Sequence, residues 1–450
     1  MKYILAFLIF FLPFHALIIT FLKCKLGIET DYLRFWKEII IVFLLFFSLI
    51  SVLQKNKFSI SKIYKNNNLL GWVTAFIICS FIFIFFPFFN LKLSAFLGFK
   101  YDVFFFFALI IGLFLTQFKN NLDFLLKTLF VSIAVILVIF LPWYIFGDIS
   151  ALSSIFGYSD KVSTYEVNKC ISFAQNVDGQ HRFQGTFGGP IRFSVFLTIF
   201  YLIYLGFIFD KIRVKSFLNK VKYDKSIKSY LLLILPSIFI ITSIFFSYSK
   251  TSLLGLVFGI TLFIYLVRKF IYKKKITKKF VGKAFLISFI PLFLIFVFKR
   301  DLFLHLGAVL NRFDNLSKSV EMFFYNPIGY GLGIAGPATQ MGRSIESAGN
   351  WQLATSSQVE IHKFLPENWY VQILLEQGIF GIILFIGVLL IIGFRLWEKI
   401  KYKRDFFSIG VFSAFITICF MANFTHVFEE SATSYILMLI IGSVLAVKNK

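Results

Sequence analysis

Charged side chains are scarce in this chain, and so are the residue types that usually bind metals. Only 15% of the 450 residues are Asp, Glu, Lys or Arg, and there are five His and four Cys. The cysteines, Cys24, Cys79, Cys170 and Cys419, show no C-x-x-C spacing. The scarcity of charge excludes a water-soluble fold, and the cysteine spacing predicts neither a disulfide framework nor a metal site.

Apolar residues are what the chain has in excess. They make up 58% of the sequence, 66 residues are Phe, and the mean hydropathy is +0.83. These values indicate a polytopic membrane protein. The net charge of +24 is better explained by Lys and Arg in cytoplasmic loops, which meet anionic lipid headgroups of the bilayer, than by binding to nucleic acid.

Twelve apolar runs are candidates to cross the hydrocarbon region as helices. They lie at about residues 3–22, 38–53, 69–89, 103–118, 124–146, 191–209, 230–246, 253–267, 284–298, 376–396, 406–423 and 432–447. The prediction is an all-α polytopic membrane protein that forms a single integral domain over residues 1–450.

Alternate loops of this plan carry most of the positive charge. More than half of the 46 Lys and Arg residues fall at the two termini and in the loops after spans 2, 4, 6, 8 and 10. Because Lys and Arg accumulate on the cytoplasmic side, both termini are placed in the cytoplasm. Two long segments then face outward, residues 147–190 and residues 299–372, the second between spans 9 and 10. Loops of this length usually form lids or binding sites.

Basic residues and glycine turns recur in the outward-facing segments. Arg182 and Arg192 flank the glycine-rich sequence FQGTFGGPI, Lys250 lies in the hydroxyl-rich turn SYSKTS, and Arg312 lies in an amphipathic stretch. Arginine forks match phosphate oxygens, and glycines let the backbone approach a ligand. The four cations are therefore predicted to bind a lipid-linked diphosphate. The residues predicted to shape the surrounding turns are Gly185, Pro190, Asn326, Pro327, Gly329, Gly331, Gly378 and Gly381.

One acidic residue lies where a membrane helix is predicted to begin. Glu367 and Asn368 precede an apolar run, and a carboxylate at that boundary is costly unless it is paired or used. It can orient or deprotonate an attacking sugar hydroxyl while the cations stabilise the leaving diphosphate. Glu367 and Asn368 are the candidate catalytic residues. His362 is a third, although a solvated loop histidine is the commoner case.

Each of these residues also has a simpler structural explanation. Arg182 and Arg192 can be anchors at the lipid headgroups, and Lys250 can be a tolerated exception in a short loop. Glu367 can cap the first turn of the following helix. The acids at 429–430 are interpreted as a solvated turn.

Four blocks follow one another along the outward-facing segments: RFQGTFGGP at 182–190, SYSKTS at 247–252, NRFDNLSKSVEMFFYNPIGYGLG at 311–333 and ENWYVQILLEQGIFG at 367–381. In this order they resemble the bacterial O-antigen ligase and O-antigen polymerase superfamily, over about residues 180–400. The resemblance implies a GT-C-like glycosyltransferase of the bacterial inner membrane that acts at the outer leaflet on undecaprenyl-diphosphate-linked glycans. It implies no cofactor, metal or nucleotide sugar, and a chain-length regulator or a flippase as further partners.

Carried over residue by residue, the resemblance assigns roles to the cations and the acid. Arg182 matches the arginine before the glycine-rich turn, and Arg312 matches the arginine ahead of the Asn-Pro-x-Gly-x-Gly turn. Lys250 stands where the family usually has Arg. Ligases typically have His at the position of Glu367, whereas a Glu is similar to the repeat-unit polymerases. His362 lies five residues earlier, and the ligase interpretation stays open if the loop folds so that His362 takes the place of the motif histidine.

The sequence therefore favours an inverting, metal-independent polymerase that joins lipid-linked repeat units into O-antigen or capsule. The alternative is a ligase that transfers the finished glycan to lipid A-core. A glycolipid transporter or flippase also fits twelve spans, but transporters tend to place charges at mid-membrane and these spans look nearly charge-free. A structural scaffold of an envelope assembly is a further class, and it would tolerate replacement of the outer arginines.

Overall fold

The structure is a computed structural model. It describes residues 2–28, 32–55, 67–86, 93–114, 122–147, 154–158, 181–218, 227–275, 306–336 and 366–446, and residues 277, 280, 282, 283, 286, 289 and 338. At residues 55, 214–218, 227–230 and 306–313 only the backbone is described.

The principal helices of these ranges are numbered here in chain order. They are α1 (Lys2–Lys25), α2 (Trp36–Lys55), α3 (Asn68–Ile84), α4 (Leu93–Phe114), α5 (Leu122–Phe146), α6 (Pro190–Leu218), α7 (Ile227–Phe246), α8 (Lys250–Leu266), α9 (Leu306–Tyr325), α10 (Trp369–Lys403), α11 (Phe406–Met421) and α12 (Ser431–Ala446). A short 3-10 turn containing Pro13 interrupts α1, because proline cannot donate the backbone hydrogen bond of a continuous α-helix.

Seven of the helical segments are long and apolar enough to cross a membrane: α1, the α2 segment, α4, α5, α6, α8 with its continuation to Ile271, and α10. Four shorter apolar helices, α3, α7, α11 and α12, accompany them. These eleven coincide with eleven of the predicted spans, and the remaining one, at 284–298, falls almost entirely outside the described residues. For the described residues the helical, multi-pass architecture is confirmed, while the number of twelve spans and the GT-C-like arrangement stay predictions.

Glycines let two helix pairs pack closely at the centre of the bundle. A Cβ on Gly112 of α4 would lie 3.0 Å from the Cα of Gly442 in α12, and one on Gly206 of α6 would lie 3.2 Å from the Cα of Gly410 in α11. Small residues at such crossings bring backbones together and increase van der Waals contact, which is the main attraction between helices in lipid. These crossings fix the position of α4 relative to α12 and of α6 relative to α11. Several of the polar residues described below lie at the ends of these helices.

Several connecting segments meet at one end of the bundle, which we call the loop end and define as residues 181–189, 247–249, 326–336, 366–368 and 422–430. Backbone hydrogen bonds join them to each other and to the helices: the Phe183 N–H donates to the Phe246 carbonyl and the Trp369 N–H to the Ala422 carbonyl, both at 2.9 Å. All five lie in or next to segments that were predicted to face outward. The opposite end contains residues 210–213 and 404–405.

Cys24, near the end of α1, corrects one expectation. The cysteine spacing predicted no disulfide framework, yet Cys24 is disulfide-bonded. Cys79 and Cys419 are free thiols, and Cys170 lies outside the described residues. The error arose because a single bridge has no spacing signature in the sequence.

Candidate functional site

Arg182 is held by the backbone of the turn that precedes α8. Its Nε donates to the Ser247 carbonyl at 2.8 Å, and its Nη2 donates to the Tyr248 carbonyl at 3.4 Å. Burial lowers the pKa of the guanidinium to about 10, so the group keeps its positive charge at neutral pH. The arginine is thus a fixed cation at the loop end and does not extend freely toward lipid headgroups.

A cluster of hydroxyl groups fixes the start of α8 beside α6. Ser249 is the N-cap residue of α8, and its Oγ lies 3.3 Å from the donating N–H of Ser252. The Ser252 hydroxyl is also 2.7 Å from the Ser194 hydroxyl of α6. The predicted six-residue turn is therefore only three residues long, because Lys250 is already the first residue of α8. A cation at the N-terminus of a helix adds to the positive end of the helix dipole.

Arg192 forms an ion pair across the loop end. Its Nη2 donates to Glu429 Oε1 at 2.6 Å, and the Glu429 side chain is only 11% exposed. Burial raises the pKa of this carboxyl, and the positive charge of Arg192 opposes that effect. The neighbouring Glu430 accepts backbone N–H bonds from Thr433 and Ser434 through its carbonyl at the start of α12. The interpretation of residues 429–430 as a solvated turn was wrong for Glu429, whose side chain is largely buried and paired with an arginine 237 residues away in the chain.

Asn368 caps α10. Its Oδ1 accepts from the N–H groups of Tyr370 at 3.0 Å and Val371 at 3.2 Å, and its Nδ2 donates to the Asn423 carbonyl at 3.1 Å. Glu367, immediately before it, is exposed. The helix starts at Trp369, seven residues before the predicted start of the span, because a capping side chain supports a helix before its apolar run begins.

Helix α10 is broken at Gly378, where φ is 60° and ψ is −159°. The glycine loop, residues 326–336, packs its backbone into this break: the Tyr330 N–H donates to the Leu375 carbonyl at 2.8 Å and the Ile379 N–H to the Pro327 carbonyl at 3.0 Å. A Cβ at Gly378 would overlap the carbonyl of Ile328. The sequence predicted turns at both places, and the structure shows that they form one unit.

Two buried acids beside this unit were missed by sequence reasoning. Glu376 Oε1 accepts from the N–H groups of Gly333 and Ala335, both at 3.1 Å. Asp102 of α4 accepts from Gln377 Nε2 at 2.8 Å, and both acids are fully buried. The description of the spans as nearly charge-free was therefore wrong here, and an acid inside an apolar run was the available signal.

His426 is a second residue that sequence reasoning missed. It lies beside the start of α10, with its ring centroid 6.1 Å from that of Trp369, and both ring nitrogens are buried. Burial, assisted by the positive charge of Arg192, lowers the pKa of His426 to about 3. The imidazole is therefore neutral at physiological pH and a weak base.

The structure brings some of the predicted site residues together and leaves others untested. Arg182 binds the turn that leads to Lys250, which places two predicted cations at neighbouring points of the loop end. Arg312 lies in α9, but its side chain is not among those described, and His362 lies outside the described residues. Glu367 lies just before α10, and its catalytic role stays a prediction.

The predicted turn residues fall on the elements already described. Gly185 lies between Arg182 and α6 with φ 53°, and Pro190 is the first residue of α6. Asn326, Pro327, Gly329 and Gly331 belong to the glycine loop, and Gly381 lies in α10 just after the break at Gly378. In the part of the chain that the structure describes, no group of three His, Cys, Asp or Glu side chains could hold a metal ion.

Comparison with known families gives one match. Residues 235–386, about a third of the chain, match the family described as O-antigen ligase. The matched range runs from α7 into α10 and covers three of the four sequence blocks. No curated protein matches the chain. The resemblance to the O-antigen ligase and polymerase superfamily is confirmed, and it indicates a ligase-type or polymerase-type enzyme of surface polysaccharide synthesis.

Proposed function

We propose that this chain, a member of the O-antigen ligase and polymerase superfamily, polymerises undecaprenyl-diphosphate-linked repeat units into a surface polysaccharide at the outer leaflet of the bacterial inner membrane. The observation that carries the proposal is the cationic turn at the loop end, where Arg182 is bonded to residues 247–248 and Lys250 begins α8.

An anion is the ligand that this arrangement favours. The first turn of a helix presents N–H groups and the positive end of a dipole, and phosphate groups bind at such ends. Lys250 at that position is unfavourable by itself, and a bound diphosphate would reverse the sign of its contribution. Arg182 adds a second positive charge whose position is set by two carbonyl groups.

The acid next to α10 supplies the other half of the chemistry. The hydroxyl oxygen of the acceptor sugar attacks the anomeric carbon of the donor, and the bond from that carbon to the phosphate oxygen breaks. The undecaprenyl diphosphate leaves with the electron pair, and the hydroxyl proton passes to Glu367. Attack opposite the leaving group inverts the anomeric centre. Asn368 acts indirectly. Its side chain caps α10 and so fixes the position of the helix start, which Glu367 immediately precedes.

Two features support an orientation with the loop end outside. Disulfides persist in oxidising compartments, and Cys24 lies in the second half of α1, after Pro13, whose carbonyl accepts from Thr186 of the loop end. The opposite end carries Lys211, Arg213 and Arg404, in agreement with the rule that basic residues stay in the cytoplasm. Both termini are then cytoplasmic, and the loop end faces lipid-linked glycans that have crossed the membrane.

The ligase remains the second candidate because the matched family is described by that activity. A ligase would require a base at the start of α10, where Glu367 replaces the histidine of the ligase motif. His426 is a described histidine beside that point, but its pKa of about 3 makes it a poor proton acceptor. The carboxylate at 367 therefore favours the polymerase.

The decisive experiment is polymerisation by the purified protein in liposomes that contain lipid-linked repeat units. We expect a ladder of products on undecaprenyl diphosphate and no transfer to added lipid A-core. Transfer to lipid A-core without a ladder would establish the ligase, and movement of unmodified glycolipid across the bilayer would establish a flippase.

Variants of Arg182 test the cationic turn in the same assay. Arg182→Ala should lower turnover about 100-fold or more, since it removes a charge that stabilises the leaving diphosphate. Arg182→Lys should recover little, because a lysine cannot bond to both carbonyls in the arginine geometry. Lys211→Ala, at the opposite end, is the control and should polymerise normally. Normal ladders from Arg182→Ala would remove this residue from the site.

A further inference from the structure

We infer that Glu376 is a positioning residue, which holds the two halves of the active site at a fixed separation by binding the glycine loop to the broken helix α10. The inference rests on the proposed function, together with the prediction from the sequence that Arg312 is a further cation of the diphosphate site. One half is α9, which carries Arg312, and the other is the start of α10, which carries Glu367.

The side chain of Glu376 accepts hydrogen bonds from two backbone N–H groups of the glycine loop. Gly333 and Ala335 each direct an N–H at its Oε1, at 3.1 Å, and the Glu376 side chain is fully buried. An unsatisfied N–H in a membrane interior costs several kcal/mol. A polar acceptor at this position therefore helps to hold residues 333–335 in the bundle, next to the backbone bonds from Tyr330 and Gly331 to the carbonyls of Leu375 and Glu376.

The other face of the loop is fixed by close backbone packing. A Cβ on Gly98 of α4 would lie only 2.6 Å from the nitrogen of Gly333. The Leu332 N–H also donates to the Phe83 carbonyl of α3 at 3.2 Å. The loop is thus held between Glu376 on one side and α3 and α4 on the other, which leaves it little room to shift.

The loop transmits this constraint to α9. The Tyr330 hydroxyl donates to the Met322 carbonyl at 2.8 Å, and the Asn326 Nδ2 donates to the Gly329 carbonyl at 2.8 Å. These bonds tie the last turn of α9 to the residues that contact the break in α10. Since Glu376 lies two turns beyond Trp369, its bonds set the distance between α9 and the start of α10.

Gln377, the neighbour of Glu376 in the chain, has other partners. Gln377 donates to Asp102 and accepts from the Ser80 hydroxyl at 2.9 Å, and these contacts join α10 to α4 and α3. They hold the helix, whereas Glu376 holds the loop. Gln377 and Glu376 therefore have separate roles, and only Glu376 affects the separation of the catalytic halves.

The test compares three variants in the polymerisation assay. Glu376→Ala should lower kcat about 10- to 100-fold, because small displacements of reacting groups have effects of this size, and KM for the lipid-linked donor should change less than about 3-fold. Glu376→Gln keeps an oxygen acceptor and should retain activity within about 5-fold of wild type. Gly98→Ala pushes the loop from its other side and should reproduce the loss of kcat. Gly71→Ala is the matched control, because a Cβ there meets nothing within 4 Å.

A second measurement is independent of activity. Hydrogen–deuterium exchange of the peptide that contains residues 326–336 should accelerate at least 10-fold in Glu376→Ala and stay near wild type in Glu376→Gln. Faster exchange without a fall in kcat, or unchanged exchange, would overturn the inference. If wild-type protein does not polymerise but the exchange pattern appears as described, the proposed function fails and the role of Glu376 in holding the loop stands.

Discussion

The two ends of the bundle treat their charged residues differently. At or near the loop end, the Arg192–Glu429 pair has side chains that are 45% and 11% exposed, and the Lys100–Glu38 pair has side chains that are 15% and 6% exposed. At the opposite end, Lys127 and Lys211 both contact Asp123, and all three side chains are between 45% and 62% exposed.

This difference separates charges that build a site from charges that set topology. Exposed ion pairs contribute about 0–1 kcal/mol each and are screened by salt. Buried charges are retained only where specific partners offset their desolvation. At the opposite end, the total number of basic residues sets the topology and their exact positions matter little. At the loop end, each basic residue acts through a partner at a particular position.

The largest effect is expected from the break in α10. Gly378→Ala would place a Cβ against the Ile328 carbonyl at a φ of 60°, so the glycine loop could not dock. We expect a loss of about 3 kcal/mol or more in the free energy of unfolding, measured in mixed micelles, and no measurable polymerisation. Gly393→Ala in the same helix is the control, since a Cβ there makes an ordinary 3.5 Å contact with Phe415. Equal stability of the two variants would contradict the close packing described at the break.

A double-mutant cycle compares the ion pairs of the two ends directly. Arg192→Gln and Glu429→Gln should show a coupling of about 2 kcal/mol in unfolding free energy, because the bond is charge-assisted and one partner is nearly buried. The corresponding cycle of Lys127→Gln and Asp123→Asn should give a coupling below about 0.5 kcal/mol. Similar couplings at both ends would remove the distinction drawn above.

Acid should destabilise the protein through His426. Its pKa falls from the ordinary 6.5 to about 3 in the folded protein, so the unfolded chain binds the proton first. The stability contribution is complete above pH 6.5 and is lost as the pH falls toward 3, by up to about 1.4 kcal/mol per pH unit. His426→Gln should flatten the thermal stability profile between pH 6.5 and about 4. Parallel profiles for wild type and variant would show that the histidine is not buried in neutral form.

The smallest effect is expected from the exposed charges. Lys127→Gln alone should change the unfolding free energy by less than about 1 kcal/mol, and any change should vanish in high salt. The measurement is the unfolding midpoint at low and high salt. A salt-insensitive loss would show that this pair is more shielded from water than its exposure indicates.

Much of the fold could be predicted from local patterns. Long apolar runs mark the spans, and Asn326-Pro327 marks the end of α9, because a proline disfavours helix in the residue before it. The same reasoning did not find the capping role of Asn368, since it placed the start of the span at residue 376. The local sequence was sufficient to predict the spans and the end of α9, because the physical causes of these features act within a few residues.

The candidate site was less predictable because its partners are distant in sequence. Arg182 was expected to reach a ligand or headgroups, and the structure shows that part of its guanidinium binds a turn 65 residues later. Glu376 lies inside the block ENWYVQILLEQGIFG, but its role could not be predicted because it depends on a loop 43 residues earlier. Such contacts follow from helix packing, which a single sequence does not specify.

The dependence of the glycine loop on α10 has a consequence for how the protein is made. Translation delivers Gly333 to the translocon 43 residues before Glu376, the acceptor of its N–H. Until Leu375 and Glu376 have been synthesised, the N–H groups of Tyr330, Gly331, Gly333 and Ala335 need water, so this part of the loop must wait outside the hydrocarbon. Docking of the loop is therefore a late step of biogenesis, and a nascent chain arrested before residue 376 would leave it open to proteases.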